Sequence, residues 1–504
     1  MLQITLGNDK KEFGDYQTPP AFCDVVCKYL INNGFAEQPQ IILEPTCGEG
    51  HFITAALKHF KGARAYGVDC NPSHAAQAKA SNPEAQILTA NIFSVDVSDL
   101  CGKERNNALI IGNPPWALNS ELSNNLPTKR NFKGLRGIDA LTGSSNFDIC
   151  EYIILQMLEE YKKSNSIICM LCKNSVARNV VLEIYRNSIA TKKIELVNFN
   201  SSKIFNISAA ACILIIKLSP EAYTETNYIV KDIDAPKVAE KYKVVDGLIK
   251  PQGEEVPDFE GVCPIKWRQG VKHDCGKVME LTKNQDGEYI NKYGEVLNIE
   301  EGLIFPLVKS SHFKSPIITD FKKYVIVTQK KAKEDTSYIK EAFPLTWQYL
   351  NNHKADFDKR KSVIYNNAGS FAMFGIGDYS YKKYKVGLSG FYKKPLFCLL
   401  HSNEKAVMTD DTAYFITFES YNLAYAATLL LNSEKVQKFL LSIAFIDNKR
   451  PYTVKLLARL DLKKCVEAVT LDELQSTEKA LKLPQKITEN IYNEFIEYIK
   501  GLQP

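Results

Sequence analysis

Between residues 20 and 217 short β-rich runs alternate with helix-like stretches, and this alternation constrains the fold more than any other feature of the chain. "QIILEP" (40–45), "ARAYGVDC" (63–70), "AQILTANIF" (85–93), "NALIIGNPP" (107–115), "SIICMLCK" (166–173), "IELVNF" (194–199) and "ACILIIKL" (211–218) read as strands. "GHFITAALKHF" (50–60), "SHAAQAKA" (73–80) and "NFDICEYIILQMLEEYKK" (146–163) have helical periodicity. Such alternation builds an α/β fold, a mostly parallel, doubly wound, Rossmann-like sheet. Sheets of that kind bind ligands beyond the C-terminal ends of their strands. The turns that follow the strands are therefore where chemistry is expected.

At 504 residues the chain is too long for one core. The alternation stops around 218–265, in polar, proline-bearing segments, so the expected division is 1–220 and 221–504. The second part is irregular, rich in Tyr, Phe, Lys and Gly, with a helical end from about 471, and reads as mixed α+β. A formal charge of +5 is small for this length, so a polyanion partner would need a local basic face. There is no run of 18 apolar residues and no signal-peptide pattern at the start, so no membrane partner and a cytoplasmic location are expected. Cys169 and Cys172 are spaced like half a metal site, but no second cluster completes four ligands. The 13 cysteines read as reduced, buried thiols, and no metal is expected.

Three strand-end turns share one ligand chemistry. "LEPTCGEGHF" places Glu44, Pro45 and two glycines, Gly48 and Gly50, between a strand and a helix. The glycines allow close backbone approach, and the helix N-terminus offers free amides. A dinucleotide fingerprint would need a third glycine where Ile53 stands. An acidic glycine turn suits a ligand with a cationic part. Asp69, ending the next strand in "YGVDC", can accept both hydroxyls of a ribose. Asn91, ending the third in "ILTANIF", can bond an adenine edge, with Ile92 or Phe93 against the ring. A nucleoside carrying a charged amino-acid tail satisfies all three turns, and S-adenosyl-L-methionine is that ligand. Each turn alone is ordinary loop chemistry; three in order, followed by "GNPPW" after the fourth strand, are not.

In this order "FGDYQTPP", "LEPTCGEGHF", "GVDC", "ILTANIF" and "GNPPW" resemble the motifs of gamma-class DNA adenine-N6 methyltransferases of type II restriction–modification systems. "SKIFNISAAACILIIKL" (202–218) is similar to that family's strand bearing a base-stacking phenylalanine, and two C-terminal stretches also resemble it, so the likeness runs the whole length. The resemblance implies a methyltransferase catalytic domain followed by a C-terminal target-recognition domain. It implies that Thr18 and the Glu44, Pro45, Thr46, Gly48 and Gly50 turn hold the cofactor's methionine end. Asp69 would take the ribose, Asn91 with Ile92 the adenine, and Phe205 the target base, with Cys70 also among the cofactor-binding residues. Two positions depart from the family, which usually has Asp at 91 and Tyr or Phe at 116. A neutral Asn91 still offers an acceptor, through a weaker hydrogen bond.

The stiff turn Asn113-Pro114-Pro115-Trp116 suits transfer to an exocyclic amine. Such an amine is a poor nucleophile, because its lone pair is delocalised into the ring. The Asn113 side-chain oxygen and the Pro114 carbonyl can accept its two hydrogens and stabilise the developing positive charge, with little reorganisation. Trp116 offers a flat stacking surface, and with Phe205 is expected to sandwich an extruded base. Without the upstream turns, the same residues would read as a proline turn beside a core tryptophan. Double-stranded DNA is the expected partner. Lys129, Arg130, Lys133 and Arg136 in the long polar stretch 117–146 would serve phosphates. Lys382, Lys383, Lys393 and Lys394 lie among aromatics in 377–397, and Lys449 and Arg450 in 445–455. A monomer acting beside a separate cognate restriction endonuclease is expected. Cytosine-N4 methylation, protein-glutamine methylation and a silent DNA-binding relative are the alternatives. Asn113, where the cytosine enzymes more often carry Ser, favours adenine.

Overall fold

The computed structural model describes residues 17–102, 106–116, 148–221, 227–235, 240–245, 247–253, 255–365 and 368–503. The chain divides into two compact units, Met1–Glu254 and Glu255–Pro504.

The first unit contains β1 (Ile41–Glu44), β2 (Arg64–Asp69), β3 (Gln86–Thr89), β4 (Ala108–Gly112), β5 (Ile167–Lys173), β6 (Thr191–Phe199), β7 (Ala211–Leu218), β8 (Asn227–Asp232), β9 (Glu240–Val245) and β10 (Leu248–Pro251). Among the described residues these form one sheet, in the order β10-β9-β8-β6-β7-β5-β4-β1-β2-β3. The pairings across β5-β4-β1-β2-β3 are parallel, and β7 runs antiparallel between β5 and β6. Besides the short helix Val97–Cys101, its helices among the described residues are α1 (Pro20–Asn32), α2 (His51–His59), α3 (Pro72–Ser81), α4 (Ile149–Tyr161), α5 (Asn174–Arg186) and α6 (Ser201–Phe205).

Helices on both faces explain why the central strands carry apolar runs without alternation: β1 and β4 are buried at every position. On one face Ile42, Leu109, Ile111 and Cys169 pack with Phe22, Val26 and Leu30 of α1 and Phe52, Ile53 and Ala56 of α2. On the other, α4 and α5 lie against β5. Local chemistry starts two of these helices. Asn71 accepts from the Ser73 N–H ahead of Pro72 in α3, and Asp148 accepts from the Cys150 N–H in α4. Eleven of the thirteen cysteines are buried; Cys169 and Cys172 lie inside β5, where desolvation holds their thiols protonated.

The division falls at 254 rather than 220. Residues read as a linker form β8, β9 and β10, which extend the sheet beyond β6. The fully buried Glu195 of β6 accepts from the Tyr29 hydroxyl of α1 at 2.9 Å and from the Lys231 ammonium of β8 at 3.1 Å, with Lys193 at 2.9 Å. A buried carboxylate with such partners ties β8 to the unit.

The second unit contains two five-stranded sheets among its described residues. One includes the antiparallel pair Tyr384–Ser389 and Ala413–Phe418; the other is centred on Tyr324–Ile326. Helices Tyr421–Asn432, Glu434–Ile443 and Glu489–Gly501 share a core with the first sheet through Val386, Ile416, Leu429, Phe439 and Phe495. The helical region therefore begins near 421, some fifty residues before the expected 471.

A fragment of residues 1–254 is expected to unfold cooperatively. A fragment of residues 1–220 leaves the β6 edge bare and Glu195 without Lys231, so it should melt earlier and self-associate. Thermal melts with light scattering compare the two.

Candidate active site

Parallel pairing in the order β4-β1-β2-β3 sets the C-terminal ends of four strands side by side, about 4.8 Å apart. Glu44, Asp69, Thr89 and Gly112 are those ends. The turns that follow them carry most of the residues expected to bind the cofactor and all of the turn expected to catalyse.

The turn after β1 is held from several directions. Asp69 Oδ2 accepts from the Gly48 N–H at 2.8 Å and its Oδ1 from the Asn71 N–H at 2.8 Å, so the strand-end acid shapes two turns at once. Gly48 and Gly50 adopt φ of 49° and 80°, where side chains are strained. A Cβ on Gly48 would lie 2.5 Å from Gln17 Oε1, and one on Gly50 2.9 Å from Asn82 Nδ2. Gln17 Oε1 accepts from the Glu49 N–H at 3.1 Å. The Gly50 carbonyl accepts from Thr54 Oγ1 at 3.1 Å and Asn82 Nδ2 at 3.3 Å. Thr18 is buried, and its carbonyl oxygen lies 2.8 Å from His51 Nδ1.

Two buried polar atoms here, Glu44 Oε2 and Thr46 Oγ1, have no hydrogen-bond partner among the described residues. Leaving such atoms unpaired costs free energy, so they fit a ligand bearing a cation and hydrogen-bond donors. The Ile53 N–H in the first turn of α2 reaches the Glu44 carboxylate, yet desolvation, helped by Asp69, drives its pKa well above 4.5. Gly112 stands directly beside Glu44, as a Cβ at 112 would lie 3.3 Å from Glu44 Cγ.

Beyond the third strand, Asn91 accepts from the Phe93 N–H at 3.1 Å, and Ile92 is buried. Cys70 is exposed. After β4, Pro114 is buried and Asn113, Pro115 and Trp116 are half-buried, with Asn113 Oδ1 out of contact with solvent. The Trp116 Nε1–H donates to the Leu171 carbonyl at 3.3 Å. Trp116 and Phe205 do meet, with centroids 5.6 Å apart at 70°. They touch edge to face, so no slot between parallel faces exists, contrary to the expected sandwich. The geometry offers a stacking face with a second ring against it.

Lys129, Arg130, Lys133 and Arg136 lie outside the described residues. In the second unit, Lys382 is engaged by Glu419 at 2.9 Å. Lys383 lies over the Tyr384 ring, and Lys393 and Lys394 are exposed. The two basic stretches meet in space: Lys449 and Arg450 lie 6.0 and 5.1 Å from the centre of the Phe391 ring, and the Tyr452 hydroxyl donates to the Lys393 carbonyl. Arg450 also faces Asp411 at 3.6 Å. Glu260 is held by Arg459 in a bidentate pair. Gln17 and His51 escaped the sequence reading although both stand inside quoted motifs. Asn82 and Thr54 carried no signal, since they act by holding the Gly50 backbone carbonyl.

A glycine cradle with unpaired acid chemistry, next to an Asn-Pro-Pro-aromatic turn on a doubly wound sheet, defines a methyltransferase acting on an amine. The chain belongs to the N-6 DNA methylase family, whose sequence profile matches residues 1–258. It is 36% identical over 472 residues to the type II methyltransferase M.NspV of Nostoc sp. (strain ATCC 29411 / PCC 7524), covering 90% of this chain and 97% of that one. The type II methyltransferase M.CvrRI of Paramecium bursaria Chlorella virus XZ-6E is 32% identical over 108 residues, 21% of this chain and 26% of that one. Among solved structures, the type IIL restriction-modification enzyme MmeI in complex with DNA superposes with a TM-score of 0.61 at 12% identity, covering 99% of this chain and 78% of that one. That likeness is one of fold. The protein is thus an enzyme, an N6 DNA methyltransferase of the restriction–modification type. Among the described residues no group of three His, Cys, Asp or Glu could hold a metal, and no helix is long and apolar enough to cross a membrane.

Glu44→Gln tests the buried acid. Above about pH 4.5 the unfolded chain has released the proton that folded Glu44 retains, so this residue's contribution to stability falls as pH rises. Relative to wild type, Glu44→Gln should raise the melting temperature at pH 8 and leave it nearly unchanged at pH 4, read by calorimetry.

Proposed function

We propose that the chain transfers a methyl group from S-adenosylmethionine to the N6 amine of an adenine extruded from duplex DNA, modifying one specific sequence. One observation carries this reading. The unpaired Glu44 Oε2 and Thr46 Oγ1, the ribose-suited Asp69 and the Asn113–Trp116 turn end adjacent parallel strands. The bound cofactor would supply an electrophilic methyl group on a sulfonium.

The chain's own residues do the rest. Glu44 and Thr46 receive the cationic amino-acid end. Asp69 keeps acceptor capacity for ribose hydroxyls beyond the two amides that it binds. Asn91 and Ile92 line the adenine. Asn113 Oδ1 and the Pro114 carbonyl accept the two hydrogens of the target amine, and they count most as its nitrogen becomes cationic. Trp116 receives the base on its face, with Phe205 against it. The Lys393, Lys394, Lys449 and Arg450 group supports binding of DNA phosphates by the second unit, which would read the sequence. A monomer working in the cytoplasm beside a separate endonuclease of the same specificity completes the proposal, without a metal.

Asn113→Ala should lower single-turnover methylation by roughly a hundred- to a thousandfold, as loss of one preorganised polar group does elsewhere, while cofactor affinity holds. Sequencing the modified bases of host DNA tests the target: N4-methylcytosine in place of N6-methyladenine would overturn the adenine assignment. Replacing residues 255–504 with those of a relative of different specificity should move methylation to the relative's site. An active chimera that keeps the original site places recognition in the first unit.

A further inference from the structure

Lys173 ends β5, and its ammonium joins two points far apart in the chain. It donates to the Trp116 carbonyl at 3.3 Å and to Asp148 Oδ2 at 2.9 Å. Residues 116 and 148 are the positions on either side of the stretch 117–147. The other oxygen of Asp148 accepts from the Cys150 N–H at 3.1 Å, so the carboxylate that receives the lysine also starts α4. Asp148 is largely buried, and desolvation raises its pKa against the pull of Lys173. Trp116 is fixed twice more, at its indole N–H by the Leu171 carbonyl and at its ring by Phe205.

The anchor sits where the chemistry of the turn requires it. Pro114 and Pro115 have no N–H, so they cannot be tied by backbone donors. The Pro114 carbonyl must stay open for the target amine. The Trp116 carbonyl is an acceptor that a side chain can hold without blocking the reaction, and Lys173 is the donor that reaches it. A turn stiff within itself but loose at its exit could still swing as a unit.

We propose that Lys173 is a positioning residue for methyl transfer: with Asp148 as its counter-charge it pins the exit of the Asn-Pro-Pro-Trp turn, and thereby fixes the face of Trp116 on which the extruded base stacks. This rests on the function proposed above. Lys173 itself touches neither cofactor nor base in this scheme.

The full-length protein is compared with Lys173→Met, Lys173→Arg and Asp148→Asn. The duplex carries adenine at the target for kinetics and 2-aminopurine for fluorescence lifetimes. Lys173→Met should slow single-turnover methylation by about a hundredfold, the scale of an ångström-sized misplacement. Cofactor affinity by calorimetry should be unchanged, and the 2-aminopurine lifetimes should lengthen as stacking on Trp116 is lost. Lys173→Arg should restore most of the rate and the wild-type lifetimes, because its guanidinium can still donate to the carbonyl. Asp148→Asn keeps the cap acceptor and should fall between the two. Methylation by Lys173→Met within about threefold of wild type, with unchanged lifetimes, overturns the proposal. So does loss of cofactor binding in both Lys173→Met and Asp148→Asn, which would make the pair a support of the fold. Weaker, less salt-dependent DNA binding with unchanged lifetimes would make Lys173 a phosphate contact and equally overturn it. A wild-type protein that methylates no adenine would instead remove the functional reading on which it rests.

Discussion

The contact between Glu44 and Gly112 is the constraint on which the candidate site depends. Any side chain at 112 would press on the Glu44 carboxyl, with its Cβ 3.3 Å from Cγ. Because β1 and β4 are direct parallel neighbours, their ends cannot be separated without breaking the sheet. The missing side chain lets an acid and an amide-bearing turn occupy one edge at van der Waals distance. A buried acid in this place carries a desolvation cost, which pushes its carboxyl well above the usual carboxylate range.

Much of this was legible in the sequence, for a physical reason. Strands buried on both faces require continuous apolar runs, so "IILE", "ALIIG" and "ACILIIKL" announced themselves, and candidate-site turns follow the first two directly. The strands after 220 did not. β9, with "EKYKVV", is charged and largely solvated, and such a strand has no burial pattern to betray it. Pairing partners, not periodicity, make it a strand. The second unit was opaque for a related reason: several of its strands are only two or three residues long, too short for any period to repeat.

The site divides in the same way. Residues that stand at strand ends or directly after them, such as Glu44, Asp69 and Asn113, could be located from order and spacing. Those that act by holding another residue's backbone could not. Lys173 reaches a carbonyl 57 positions away, and Asn82 one 32 positions away. Nothing in a linear sequence marks a lysine as the donor for a particular carbonyl. The Trp116–Phe205 geometry was beyond reach too, since residue identity says that two rings are available but not at what angle they meet.

The Phe391 ring, shared by Lys449 and Arg450, has a consequence for how such proteins diversify. One aromatic face serves cations contributed by a loop almost sixty positions downstream, and the Tyr452–Lys393 hydrogen bond locks the same two loops a second time. A crossover falling between residues 394 and 448 would join one parent's ring to another parent's cations. Exchange between relatives should therefore leave breakpoints outside this interval, so that the two loops are inherited together as one cassette.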